Sequence, residues 1–404
     1  MRGLTLRWER WLLGLGLIWS LTTGGWAQGS VINLHPSGWQ SSEANAIENG
    51  VVAGGGVLSS GLSSAVKWTA LNATSVVVLN QSTAGSWGWA MSNGVVAGPS
   101  WNATVHASAW DASGTFVDLN PSFTAWSDAF AVNSYIGSNP VTVGIALYGN
   151  VFHAVAWSGY NGNNLIDLHP SGAGRSFAYG INQNGQVVGS VDNQAAYWSD
   201  YQNPGSYVNL HPSGASASYA LGIAANGQIG GFAVINGQEH ACVWDPNTNA
   251  WTDIHPATAN GDSEVLGIGS MSPASPAIPV GFAVFNGEQH AIVWRCQSGG
   301  SGWIDLHTVL PAGYTLSWAR GIWIGSDGTL YVTGAAGDAN HSEAIVWVLA
   351  PGDVNGDGCI DDADLLAVLL DFGNSGCSLS DLNGDGVVDD ADLLIVLLGF
   401  GNGC

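Results

Sequence analysis

The sequence predicts a mainly β chain: a seven-bladed β-propeller of four-stranded blades, followed by a small α-helical module built on two cation-binding loops. Three observations predict it. Tryptophan recurs with its neighbours at a period of about 45 residues, the two ends of that repeat are out of phase, and one acidic pattern occurs twice near the C-terminus. The expected organisation is residues 1–27 as a signal peptide, 28–350 as the propeller and 351–404 as the C-terminal module.

The N-terminus carries Arg2, Arg7 and Arg10, then an apolar run from Trp11 to Leu21, then Gly25-Trp26-Ala27 with small residues at a cleavage site. That is the pattern of a secretory signal cleaved after Ala27, and it predicts a secreted, extracellular protein. The alternative is a membrane anchor. No later stretch reaches the roughly 18 apolar residues that a spanning helix needs, so no membrane span is expected in the mature form. Beyond residue 27 the basic side chains, histidine aside, are Lys67, Arg175, Arg295 and Arg320, against 30 Asp and Glu in the whole chain. So acidic a surface repels nucleic acid and anionic membranes.

Within 29–350, Trp68, Trp110, Trp157, Trp198, Trp244, Trp294 and Trp347 each end a short apolar run, as in His240-Ala241-Cys242-Val243-Trp244. A segment such as Leu165-Ile166-Asp167-Leu168-His169-Pro170 follows, then a hairpin candidate such as Gly180 to Gly189 centred on Asn184-Gly185. Each repeat therefore offers about four short strands, which is one propeller blade. The segment due after Trp347 is missing there, and Val31-Ile32-Asn33-Leu34-His35-Pro36 stands alone at the start. Joining the two completes a seventh blade and hides the open sheet edges. The blocks resemble the HAF family of extracellular repeats; His-Ala stands at 106–107, 153–154, 240–241 and 290–291, without the family's following Phe. The resemblance implies no particular activity.

All ten histidines fall in the repeat: His35, His169, His211, His255 and His307 after the Leu or Ile, His106, His153, His240 and His290 opening the Trp strand, and His341 just upstream of it. Residues used in nearly every blade are expected to tie strands to turns by hydrogen bonds; the alternative is an axial ring of histidines around a metal. Trp87, Trp89, Trp101, Trp126, Trp318 and Trp323 lie outside the core pattern, as packing or as platforms for sugar rings. The acids Asp128, Asp192, Asp262 and Glu264 show no pairing in their spacing, and Gly54-Gly55-Gly56 opens no helix and so cradles no phosphate. No catalytic residue is assigned, and the leaning is away from an enzyme.

The two acidic copies run from Asp353 to Asp364 and from Asp381 to Asp392. Oxygen side chains fall at loop positions 1, 3, 5, 9 and 12 with glycine at 6, the pattern of an EF-hand calcium loop. The expected ligands of one Ca²⁺ are Asp353, Asn355, Asp357, Asp361 and Asp364 with the Cys359 carbonyl. Those of the second are Asp381, Asn383, Asp385, Asp389 and Asp392 with the Val387 carbonyl. Apolar runs 365–370 and 393–398 follow as short helices, expected to end near Gly373 and Gly399. The duplicated unit resembles a type I dockerin, a module that docks secreted bacterial proteins onto cohesins. That resemblance implies both ligand sets and a cohesin-like or other cell-surface partner for 351–404. Positions 10 and 11, often Ser/Thr in the family, are Asp-Ala in both copies, and the loops start 28 residues apart (353 to 381).

Of five cysteines, Cys242 and Cys296 lie in the repeat and Cys359, Cys377 and Cys404 in the module; Cys359 or Cys377 bonded to Cys404 would tie its ends. The function expected is a secreted binding or scaffolding propeller with a calcium-dependent attachment module. The alternatives are a glycan-degrading enzyme or a propeller lectin on the same tether, with a glycan as ligand.

Overall fold

The computed structural model describes residues 31–79, 84–101, 103–134, 139–297 and 302–404; the segment expected to be a signal peptide, residues 1–27, lies outside them. Among these residues the strands form seven antiparallel sheets. Blades I to VI occupy 41–78, 85–118, 127–167, 176–209, 217–253 and 263–305. Blade VII takes its inner three strands from 316–349 and its outer strand from Val31–Asn33. The pairing is antiparallel, Val31 opposite Trp347 and Asn33 opposite Ile345, so the N-terminal strand closes the ring as the phase of the repeat predicts.

The hairpins follow their turn chemistry. Asn49-Gly50, Asn93-Gly94, Asn236-Gly237 and Asn286-Gly287 all hold positive φ at both residues, the two-residue turn that matches strand twist. Asn184-Gly185 differs: it sits in a five-residue connection between Ser176–Ile181 and Val187–Val191.

The core is split blade by blade. Each repeat tryptophan is fully buried, and five donate the indole N–H to a carbonyl of the preceding blade: Trp68 to Leu34, Trp198 to Leu168, Trp244 to Leu210, Trp294 to Ile254 and Trp347 to Leu306, at 2.9–3.0 Å. The Trp157 indole nitrogen has no acceptor.

A serine crosses every seam. Ser42, Ser86, Ser127, Ser176, Ser218, Ser263 and Ser317 stand on the inner strands, all buried to 0% exposure. Each hydroxyl accepts from the third-strand alanine N–H of the preceding blade, at Ala344, Ala65, Ala107, Ala154, Ala195, Ala241 and Ala291, at 2.8–3.0 Å. In six blades the inner strand bulges beside it, in blade II it breaks into Gly85–Ser86 and Ala90–Ser92, and in all seven the next carbonyl is pushed into the second strand. A Cβ on Gly54, Gly98, Gly144, Gly189, Gly231, Gly281 or Gly334 would come within 1.8–2.0 Å of that oxygen, so all seven positions require glycine.

These contacts set the cost of cutting one seam. Ser218→Ala leaves the Ala195 N–H buried without an acceptor, and should destabilise the propeller by about 1–3 kcal/mol. Urea unfolding followed by tryptophan fluorescence measures this; an unchanged midpoint would show that the seam serine is dispensable.

Candidate functional site

Two helices follow the acidic loops: α1, Asp362–Asp371, and α2, Asp390–Gly399. Each begins at loop position 10, so the last ligand positions form its first turn. Asp361 and Asp389 cap the helices, and Asp364 and Asp392 reach back to the cap amides, a reciprocal box at each N-terminus. The helices stop one residue before Phe372 and Phe400, and Gly373 and Gly401 reverse the chain at φ +82° and +85°.

The copies are joined reciprocally. Ile360 exchanges backbone hydrogen bonds with Gly401 and Asn402 beyond α2, and Val388 does the same with Gly373 and Asn374 beyond α1. Ile360, Val368, Val388 and Val396 form the module's small core.

Within each loop the acids are held by backbone amides. Asp353 accepts from Gly356 and Gly358 at 2.7 and 3.0 Å, and Asp381 from Gly384 and Gly386, both at 2.9 Å. Asp364 accepts from Val354 and Asn355, and Asp392 from Leu382 and Asn383. Asn355 donates to Asp357, and Asn383 to Asp385. Gly358 and Gly386 at position 6 both stand at φ +91°. The donor chemistry fits a hard cation: oxygens at every side-chain position and a turn that needs glycine. The loop carboxylates are not gathered in threes within 4.8 Å of one another; that spacing occurs, among the described residues, at His35, His341 and Glu343.

The first loop lies against blade VI. Gly356 meets Ile304, Leu379 packs on both the module core and the core shared by blades VI and VII, and the half-buried Arg295 side chain carries its charge within reach of Asp353 and Asp364. Cys296 is bonded to Cys377, which staples blade VI to the module, and Cys359 to Cys404, which ties the module's ends. Cys242 is a buried free thiol, pushed well up by burial.

The helices leave two matching apolar sets in solvent: Leu366, Leu369, Leu370 and Phe372, and Leu394, Leu397, Leu398 and Phe400, from 47% to 78% exposed. Sequence reasoning read these runs only as helix.

In the propeller the histidines stand at the seams, not around the axis. His153 bonds Asp167 at 2.9 Å, Asp167 takes the His169 N–H at 2.9 Å, and His169 bonds Ser176 at 2.8 Å. His240, Asp253, His255 and Ser263 repeat the chain, as do His290, Asp305, His307 and Ser317. Burial holds His169, His255 and His307 below the ordinary imidazole range, helped by the stacked neighbouring histidine.

Around the axis, Arg320 of blade VII interacts electrostatically with Glu43 of blade I and Glu264 of blade VI, and lies 5.5 Å above the Trp89 ring of blade II. Sequence spacing could not show this meeting, because each residue comes from a different blade. Burial raises the Glu43 carboxyl, and raises that of Asp128 much further. Asp192, by contrast, is engaged by the Gly174 and Arg175 amides, and Asp262 by the Glu239 amide. Of the six tryptophans expected as packing or sugar platforms, Trp87 packs on Gly55, Trp101 on Gly85, Trp126 on Phe152 and Trp323 on Tyr331, and Trp318 joins a cluster with Phe282.

No protein-family model and no curated protein matches the chain. Solved structures similar to it include YCF48 bound to a D1 peptide, at 11% identity and TM-score 0.47, covering 79% of this chain and 94% of that one. TolB from Acinetobacter baumannii is 12% identical with TM-score 0.40, covering 68% of this chain and 63% of that one. Trypanosoma rangeli sialidase is 8% identical with TM-score 0.37, covering 80% and 58%. At such values no ligand or activity carries over.

Burial pushes the Asp353 carboxyl up to about 6 from an ordinary 3.8, and Asp381 shifts in the same direction. A raised acid binds its proton more tightly when folded, so the Asp353 contribution to metal-free stability is fully present below pH 3.8 and is lost as pH rises through about 6. In chelator, the module's melting temperature should therefore drop between pH 5 and pH 7, and Asp353→Asn should flatten that slope. Scanning calorimetry across this range decides it; a melting temperature that rises with pH would contradict the assignment.

Proposed function

We propose that the chain is a secreted binding or scaffolding propeller carried by a calcium-dependent, dockerin-like attachment module. The observation that carries this reading is the matched pair of loops and helices. Two oxygen-only loops each cap a helix that presents the same leucine pattern to solvent. Two Ca²⁺ ions would be held by Asp353, Asn355, Asp357, Asp361 and Asp364 with the Cys359 carbonyl, and by the corresponding set from Asp381 to Asp392 with the Val387 carbonyl. A bound cation neutralises acids that otherwise repel one another and fixes the angle of each helix on its loop. The exposed leucines then form two equivalent apolar faces of the kind that mark a protein partner. The partner class is a cohesin-like or other cell-surface protein, and the HAF-like propeller is the part displayed.

Chelation should lower the module's melting transition and leave the propeller's β signal intact, and Asp357→Ala with Asp385→Ala should mimic it. Leu370→Asp with Leu398→Asp should keep calcium binding yet abolish calcium-dependent capture of a secreted partner. Calorimetry and pull-down in calcium and in chelator measure both. Chelator-insensitive melting sinks the calcium assignment; capture that survives the leucine changes sinks the docking faces.

A glycan ligand for the propeller is the second reading, favoured by Arg320 over Trp89 between two acids at the axis. Glycan-array binding that is lost in Arg320→Met supports it, and a uniformly negative array removes it.

A further inference from the structure

At the seam that closes the ring, the chemistry shared by other seams is altered. In four other blades a third-strand histidine meets an outer-strand aspartate, at His106–Asp118, His153–Asp167, His240–Asp253 and His290–Asp305, at 2.7–2.9 Å. Here Glu343 takes the histidine's place on strand Ser342–Leu349, and Asn33 the aspartate's place on strand Val31–Asn33. The carboxylate has moved to the other strand, and a further histidine, His341, stands two residues before it.

The rearrangement frees one anionic oxygen. Glu343 Oε2 accepts from Asn33 Nδ2 at 2.5 Å and from the Tyr314 hydroxyl at 2.6 Å. Oε1 instead lies 3.9 Å from His341 Nδ1, too long for a hydrogen bond. One nitrogen from each of His35 and His341 and one Glu343 oxygen all lie within 4.8 Å of one another. Two ligands of a tetrahedral zinc ion at about 2.0–2.1 Å stand about 3.3 Å apart, so the set needs only a small contraction. The rings are turned for it. His153 and His169 stack face to face at 3.8 Å, whereas His35 and His341 meet edge-on at 5.1 Å and 69°. Stacked rings cannot aim nitrogens at one point between them; edge-on rings can.

We propose that His35, His341 and Glu343 form a binding site for a divalent ion of the zinc class, with water in the fourth position. The mixed nitrogen and carboxylate set suits zinc, and the all-oxygen loops suit calcium. His35 Nδ1 already lies 2.8 Å from Ser42 Oγ, so Nε2 is its ligand atom, exchanging the Trp39 carbonyl for the ion. His341 is presented by a turn in which its amide donates to Asp338 Oδ1 at 3.0 Å. Its side chain is 39% exposed and that of Glu343 22%, which gives the ion a way in. The site joins chain segments about 300 residues apart, at the one seam closed by the N-terminal strand. Zinc is therefore a clasp on the ring.

The test uses the full chain in millimolar calcium, so that the acidic loops are occupied. Isothermal titration with Zn²⁺ should give one site per chain, and roughly 100-fold excess zinc over Kd should raise the propeller's melting temperature by a few degrees. His341→Ala and Glu343→Gln should each weaken binding about tenfold or more and remove the melting shift. The His341 side chain is partly exposed, so His341→Ala should melt like the parent without zinc, which separates a lost ligand from a lost fold. Co²⁺ should give a visible d–d band in the parent and none in His341→Ala. No zinc heat, or equal zinc affinity in parent and His341→Ala, overturns the site.

Discussion

One hydrogen bond, repeated at seven seams, is what the rest of the propeller depends on. The inner-strand serine hydroxyl lies in a fully buried gap and accepts the N–H of an alanine in the preceding blade. An unmet amide there would cost on the order of a buried hydrogen bond at each seam. Meeting it fixes how far one blade slides along the next. That registry places the Leu34-type carbonyls beneath the indoles and the seam histidines beside the serines. The adjacent bulge then drives a carbonyl into the second strand, where glycine is the residue that leaves room.

Much of this was legible in the sequence, and what was hidden has a physical reason. Trp244 and its six counterparts mark the third strands because an indole needs a large buried slot, which each blade supplies. The lone Val31-to-Pro36 segment told how the ring closes. The paired acidic loops were readable because the spacing of acids within a loop is local. The serines and the opposing glycines recur at the same period, yet their roles depend on contacts between strands that spacing does not reveal. Arg320, Glu43, Glu264 and Trp89 come from four blades, so no local pattern announces their meeting. Cys296 and Cys377 stand 81 residues apart, and their pairing follows from where blade VI meets the module.

The C-terminal module shows duplication used twice over. Ile360 and Val388 make equivalent backbone bridges to the segment beyond the opposite helix, so neither copy is complete without the other. The same near-symmetry duplicates the exposed leucine face. It breaks where the module meets the propeller: Gly356 is pressed on Ile304, whereas Gly384, its counterpart, only approaches Pro276. One loop is thus pinned against blade VI and the other is more open.

The Cys296–Cys377 bond encloses the outer strand of blade VI, the inner three strands of blade VII, the connection after them and the whole first loop and helix. A protease that nicks the backbone anywhere in that stretch would produce two polypeptides and still no detached module. Tension applied at the C-terminal end would likewise pass through sulfur into blade VI, bypassing the short segment at 350–353. Separation then demands a reductant as well as a cut, which makes the junction durable outside the cell and fragile inside it.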